Sequence, residues 1–143
     1  MQQIQELNFK VITIEEDGFH ILIDAHINGF SALILIDTGA SKTVFDLNYF
    51  YENFPDFTPV KENRLSSGLG NNTIQSHAAI IEEFTMGEIK IADFTTSLID
   101  LSMVNDTYQK LNLPKINGIL GGDLLMQLNA IIDYKNQKIS FLT

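Results

Sequence analysis

The segment Leu33-Ile34-Leu35-Ile36-Asp37-Thr38-Gly39-Ala40-Ser41 constrains this chain more than any other. Residues 30–36 are almost wholly apolar, which predicts a strand covered on both faces and therefore packing layers above and below it. The strand then ends on a carboxylate, delivered straight into a turn where Gly39 is expected to permit a backbone geometry closed to other residues. Ending a buried strand on an ionisable group costs free energy unless something compensates, so Asp37 is a functional candidate. The plainer alternative is that Asp37 only caps its turn, as aspartate often does.

Around this segment, short alternating runs broken by turn residues predict a mostly β chain. Leu7, Phe9 and Val11 alternate with Asn8 and Lys10 in a first strand, and Glu16-Asp17-Gly18 turns the chain. Phe19, Ile21, Ile23, Ala25 and Ile27 share one face of the next strand. Asn28-Gly29 follows, two residues that tolerate positive φ and suit a two-residue hairpin. Asp46 is placed to cap a short helix with Leu47, Phe50 and Phe54 on one side and Pro55 at its end. The polar, glycine-containing stretch 66–72 reads as the tip of a long hairpin, and 79–85 pairs with 88–99 around Gly87. Ser102 opens a helix in which Val104, Tyr108 and Leu111 share a face, with Pro114 beyond it. Asp123 is expected to cap a helix over 124–128, and 130–134 pairs with 139–142. No βαβ alternation supports a parallel sheet, and no repeat or linker divides the chain. Residues 1–143 read as a single, mostly antiparallel β domain with two or three short helices.

Composition removes several function classes. Eighteen acidic against nine basic residues, with one arginine among them, leave a net charge of -9. Nucleic-acid binding needs a positive stripe, and attachment to anionic membranes needs a basic surface, so neither partner is expected. The chain has no cysteine, hence no disulfide framework, thiol nucleophile or cysteine-ligated zinc. Residues 1–10 carry no basic start followed by an apolar core, and no apolar run approaches the roughly 18 residues of a membrane span. A cytoplasmic setting is expected.

The run of apolar residues leading into Asp37-Thr38-Gly39-Ala40-Ser41 resembles the active-site segment of retropepsin-like aspartic peptidases. Ile119-Leu120-Gly121, followed by Gly122-Asp123-Leu124-Leu125, is similar to the apolar-apolar-glycine strand and helix that cross the catalytic loop in that family. Between them, Gly68 to Asn72 lies where the family carries its substrate-covering flap. With Ile132-Asp133-Tyr134 and the terminal hairpin, the resemblance spans about residues 19 to 142. It implies one lobe of the acid-protease fold, a closed antiparallel β-barrel or sandwich, and an aspartic endopeptidase activity. Asp37, Thr38 and Gly39 would be the catalytic residues. Ala40, Gly68, Leu69, Gly70, Ile119, Leu120 and Gly121 would face the substrate, an extended peptide gripped by backbone hydrogen bonds. No cofactor or metal is implied, because the attacking group is water.

Aspartic-peptidase chemistry needs two carboxylates about 3 Å apart sharing one proton. This chain has one Asp-Thr-Gly and no Asp-Ser-Gly, and Asp56, Asp100, Asp106, Asp123 and Asp133 lack the turn signature. The partner is therefore expected to be Asp37 of a second copy, brought close by a two-fold axis in an isologous homodimer. In that arrangement the resemblance gives Thr38 a hydrogen bond across the axis and lets the backbone around Gly39 donate to Asp37. Relatives with serine at the position of Ala40 give the pair an extra donor. Alanine withholds it, which predicts activity at weakly acidic to near-neutral pH.

Rival constellations are weaker. His20, Asp24 and His26 share the polar face of one strand, but period-two spacing puts His20 roughly 20 Å from His26, too far for a shared ion. Three scattered histidines support no Ser-His-Asp order, and no Gly-x-Ser-x-Gly elbow exists. A glycosidase would need a second carboxylate about 5 to 9.5 Å away, which nothing identifies. Asn71-Asn72-Thr73 and Asn105-Asp106-Thr107 match glycosylation acceptors without a secretion signal to give them weight. From a different class, the same dimeric fold can serve as a catalytically silent peptide-binding or assembly module. The segments 47–63 and 101–114 exceed the compact viral relatives and have no role assigned from sequence.

Overall fold

The computed structural model of the chain describes residues 3–15, 18–67 and 73–143, with the side chains of 63–67 and 73–74 outside that description. Its elements are β1 (Ile4–Asn8), β2 (Lys10–Ile14), β3 (Gly18–Ile27), β4 (Phe30–Ile36), β5 (Val44–Asp46), α1 (Leu47–Asn53) and β6 (Val60–Ser67). There follow β7 (Thr73–Met86), β8 (Ile89–Ile99), α2 (Ser102–Lys110), β9 (Gly118–Leu120), α3 (Gly122–Gln127), β10 (Ile131–Asp133) and β11 (Lys138–Leu142). Eight strands form one sheet in the order β2-β3-β4-β9-β5-β8-β7-β6, and three form a second in the order β1-β11-β10. A further pairing of β3 with β7, His26 opposite Thr85 and Ile27 opposite Phe84, bends the large sheet back on itself.

Local chemistry accounts for much of this. Asn28 and Gly29 both take positive φ, 49° and 85°, and Ile27 faces Phe30 across the hairpin. Asp46 caps α1 as expected, its Oδ1 accepting from the Asn48 N–H. The apolar run of β4 is covered on both faces. Ala32, Ile34 and Ile36 join Ile21, Ile23 and Ile27 of β3 in the main core, beneath Phe45, Phe84 and Phe141. Leu35 and Leu22 face the other way, into a second cluster with Leu101, Tyr108 and Ile116. Each fully buried aliphatic side chain contributes about 1.5–3 kcal/mol, so the second layer is as necessary to β4 as the first.

That second layer is α2. Val104, Tyr108 and Leu111 pack on it as their spacing predicted. Buried Asn105 ties the helix down: its Nδ2 donates to the Ile116 carbonyl (3.0 Å) and its Oδ1 accepts from the Ile116 N–H (2.8 Å). At the helix start, Asp100 accepts from the Ser102 hydroxyl and N–H and from Asn48 of α1. These bonds hold its carboxyl below the ordinary range, the Ser102 hydroxyl contributing most.

Several expectations are corrected. The single strand expected around Leu7, Phe9 and Val11 is two, β1 and β2, in different sheets; Phe9 between them is buried and its N–H donates to the Gln137 carbonyl (3.0 Å). Two pairings are parallel, β4 with β9 and β5 with β8, reached by long returns of the chain and not by βαβ units. Asp123 is not a helix cap: Gly121 holds that position and Asp123 lies inside the first turn of α3. Phe19 is 67% exposed at the start of β3. The flap expectation, Gly68, Leu69 and Gly70 included, falls on residues 68–72, which lie outside the described residues, as do Glu16 and Asp17. The flanking strands β6 and β7 do pair, as far as Ser67 opposite Thr73. The terminal strands β1 and β11 pair within the one protomer, Ile4 opposite Leu142. Among the described residues no helix is long and apolar enough to cross a membrane.

Replacing Asn105 with alanine strands a buried N–H and a buried carbonyl at Ile116. The expected loss is about 3 kcal/mol in urea unfolding followed by circular dichroism, with the dependence on urea unchanged.

Candidate active site

Asp37 follows the last residue of β4, and its own N–H donates to the Leu120 carbonyl (3.0 Å), extending the β4–β9 pairing by one step. The chain turns at once. Ala40 N–H closes the turn on the Asp37 carbonyl (3.2 Å), and Gly39 N–H donates to Asp37 Oδ1 (2.9 Å). Gly39 does not take positive φ, so the expected reason for a glycine here is corrected. A Cβ here would stand 3.3 Å from Asp37 Oδ1, a tight approach that crowds the carboxylate itself.

The rest of the loop is laced to the β9–α3 junction. Gly122 N–H donates to the Ala40 carbonyl (2.7 Å) and Asp123 N–H to the Ser41 carbonyl (3.1 Å). In return, Asp123 Oδ1 accepts from the Thr43 N–H (2.9 Å) and hydroxyl (2.7 Å), while Thr43 Oγ1 accepts from the Gly121 N–H (3.0 Å). Thr96 of β8 donates to the Thr43 carbonyl (3.0 Å). Thr43 is buried, so these bonds form where water does not compete. Gly121 admits no side chain: a Cβ would lie 2.7 Å from the carbonyl carbon and oxygen of Lys42. Gly122 has ordinary room, with its nearest neighbour at 3.5 Å.

The result is a rigid backbone carrying an open carboxylate. Asp37 is half-buried, and Thr38 and Gly39 are exposed. Beside them lies a cavity of about 220 Å³ walled by Phe19, His20, Ile36, Ile132 and Tyr134 among others, with Asp37 as its one carboxylate among the described residues. Asp133 in neighbouring β10 is committed elsewhere. Its two oxygens accept from the Asn136 N–H and side-chain amide, and chiefly that amide holds its carboxyl below the usual range.

Other residues named from sequence are placed as follows. Ala40 is half-buried in the loop, and Ile119 is half-buried against the second cluster. Leu120 was expected at the substrate; it is wholly buried in the core, so its side chain cannot reach a ligand and its carbonyl serves Asp37 instead. Gly121 is likewise buried and supports the loop. Asp24 and His26 are exposed, whereas His20 bonds Tyr108. Thr43 and the true use of Asp123 were missed, because their contact joins residues 80 apart. A larger cavity, about 520 Å³, lies between α1 and α2, but the side chains of Asn48 and Asn105 on its wall are already engaged in bonds that fasten the helices.

This arrangement is the retropepsin-like fold. A retropepsin-like aspartic protease from Rickettsia conorii superimposes with a TM-score of 0.60 and 20% identity, covering 99% of this chain and 94% of that one. The protease of EIAV, in complex with an inhibitor, gives 0.58 and 17% over 85% and 99% of the two chains. The retroviral protease-like domain of Ddi1 from Leishmania major gives 0.55 and 15% over 85% and 87%. No curated protein matches the sequence significantly. The family model described as aspartyl protease matches residues 23–124, from β3 through the loop to α3, and the chain belongs to that family.

The glycine pair separates packing from composition. Gly121→Ala forces the crossing apart and is expected to cost about 1–3 kcal/mol, whereas Gly122→Ala, in the first turn of α3, stays within about 0.5 kcal/mol of the parent. Chemical unfolding of the two variants side by side checks this.

Proposed function

We propose that the chain is an aspartic endopeptidase that works as a homodimer, its one active site formed by Asp37 from each copy. The observation that carries this reading is a half-exposed carboxylate, held on a rigid loop, with no second carboxylate beside it among the described residues of its own protomer. Two such groups about 3 Å apart share one proton. The ionised one takes a proton from a bound water as the water oxygen attacks the scissile carbonyl carbon. The protonated one gives its proton to the carbonyl oxygen, and collapse of the tetrahedral diol returns a proton to the leaving amine. The apparent pKa values belong to the pair and not to either residue. Ala40 adds no hydroxyl to the site, which favours work at weakly acidic to near-neutral pH.

The free edge of β10 supports the dimer. It is one of the two outer strands of the β1-β11-β10 sheet, with no strand on its other edge among the described residues, and Ile131 within it and Tyr134 just past it are 66% and 61% exposed. Ile132 and Tyr134 also wall the cavity that holds Asp37. A two-fold axis beside β10 pairs it antiparallel with its own copy, covers an edge that is otherwise a liability, and brings the two Asp37 side chains toward each other. The substrate is an extended peptide or protein segment, and the proposal takes 1–143 as one domain. A cysteine-free chain suits the reducing conditions of a cytoplasm.

Asp37→Asn is expected to lower cleavage of an unstructured protein by about a thousandfold or more while the dimer persists in size-exclusion chromatography with light scattering. Equal inertness of parent and variant, with peptide binding retained, establishes the silent-module reading instead. Ile131→Lys, at an exposed position, is expected to yield a folded monomer without activity; a dimer of unchanged affinity removes β10 from the interface.

A further inference from the structure

Thr96 is a polar side chain in a row that packing alone would make apolar. It is buried on β8 between Phe94 and Leu98 and faces Ala79 across the ladder to β7, on the side of the sheet turned to the main core. Valine has the same shape and would fill the place with no polar group to satisfy. The Thr96 hydroxyl is engaged: it donates to the Thr43 carbonyl (3.0 Å), and a carbonyl can only accept, so the direction of the bond is fixed. The backbone pairing of β5 begins at Val44, opposite Ser97 of β8 and Ile119 of β9, so Thr43 lies one residue outside it, on the side of Asp37. Thr96 therefore carries the hold of β8 one step further toward the loop that bears the carboxylate.

The bonds of Gly121, Gly122 and Asp123 join this loop to the β9–α3 junction. Thr96 joins it to a different element, the strand laddered to β7 from Leu98 opposite His77 to Ile89 opposite Met86. Two ties in different directions fix a position that one tie leaves able to pivot. We propose that Thr96 is a positioning residue for Asp37, its hydroxyl holding residues 37–43 so that the carboxylates of two copies meet at the two-fold axis. The inference rests on the peptidase reading and adds to it a residue that touches neither substrate nor the reacting atoms. At a two-fold axis both copies move, so a displacement of the loop along the line between the carboxylates counts twice in their separation. Proton sharing and attack depend on that separation, and a misplacement of about 1 Å costs up to about a hundredfold in rate.

The test compares, in the full-length dimer, Thr96→Val, which keeps the shape and removes the donor, with Thr96→Ser, which keeps the donor. Ile89→Val, a truncation of a buried side chain at the other end of β8, is the control for lost stability. On a peptide spanning a cleavage point mapped in an unstructured protein, Thr96→Val is expected to lower kcat about tenfold with KM within about twofold of the parent. Thr96→Ser and Ile89→Val stay within about twofold in both constants. Amide hydrogen exchange gives a second readout that needs no turnover. The N–H groups of Asp37, Ala40, Gly122 and Asp123 are bonded within the crossing, whereas that of Phe9 is bonded to the Gln137 carbonyl. In Thr96→Val the first four exchange about tenfold faster than in the parent and Phe9 does not change; a purely structural role speeds all five alike. Should Thr96→Val fail to fold, Thr96→Ala takes its place in both measurements. If the parent cleaves nothing, the peptidase reading fails by itself, and the exchange pattern alone judges the positioning. A kcat that Thr96→Val leaves at the parent level, a fall that Ile89→Val reproduces, or an equal acceleration at Phe9 overturns the inference.

Discussion

The crossing of residues 37–43 over 120–123 is the constraint on which the rest depends. Two chain segments 80 residues apart lie so close that Gly121 has no room for a methyl group, and buried Thr43 of the first joins the second by accepting from the Gly121 N–H and donating to Asp123. A hydrogen bond formed where water is excluded holds geometry more firmly than the same bond at the surface. Asp37 inherits that firmness. Its main chain is pinned at the N–H by Leu120 and at the carbonyl by Ala40, so the carboxylate stands at a set place although it is half-open to solvent. The chemistry proposed for Asp37 asks for a group whose orientation costs nothing at the moment of reaction, and this loop supplies a fixed one.

The second hydrophobic layer follows from the same strand. A continuous apolar β4 cannot leave Leu35 in water, and α2 supplies the cover, fastened by Asn105 and begun by Asp100. A helix placed there for packing also stands next to the start of β3. Tyr108 can then fill the layer and touch His20 with one side chain.

Much of the fold was legible because it is local. Alternation gave the positions of β3 and β8, two residues that accept positive φ marked the first hairpin, and Asp46 announced α1. The candidate site was legible at Asp37 because a carboxylate closing an apolar run is locally incongruous. The break at Phe9 was not, since both strands keep the same alternation and only their partners, β11 and β3, differ. Nor were the parallel pairs, whose members meet across most of the chain.

By itself, then, the amino-acid order determined what each short stretch can do: extend, turn, cap, or present an acid. Periodicity and backbone preference act over a few residues and are written there in full. Tertiary structure alone decided which stretches meet. It turned Asp123 from an expected cap into the clasp of the loop and withdrew Leu120 into the core. It gave Gly121 a steric reason and showed Gly39 without a positive φ. It also set Tyr108 against His20, 88 residues apart, because such contacts arise from the closing of layers and leave no mark on either neighbourhood in the chain.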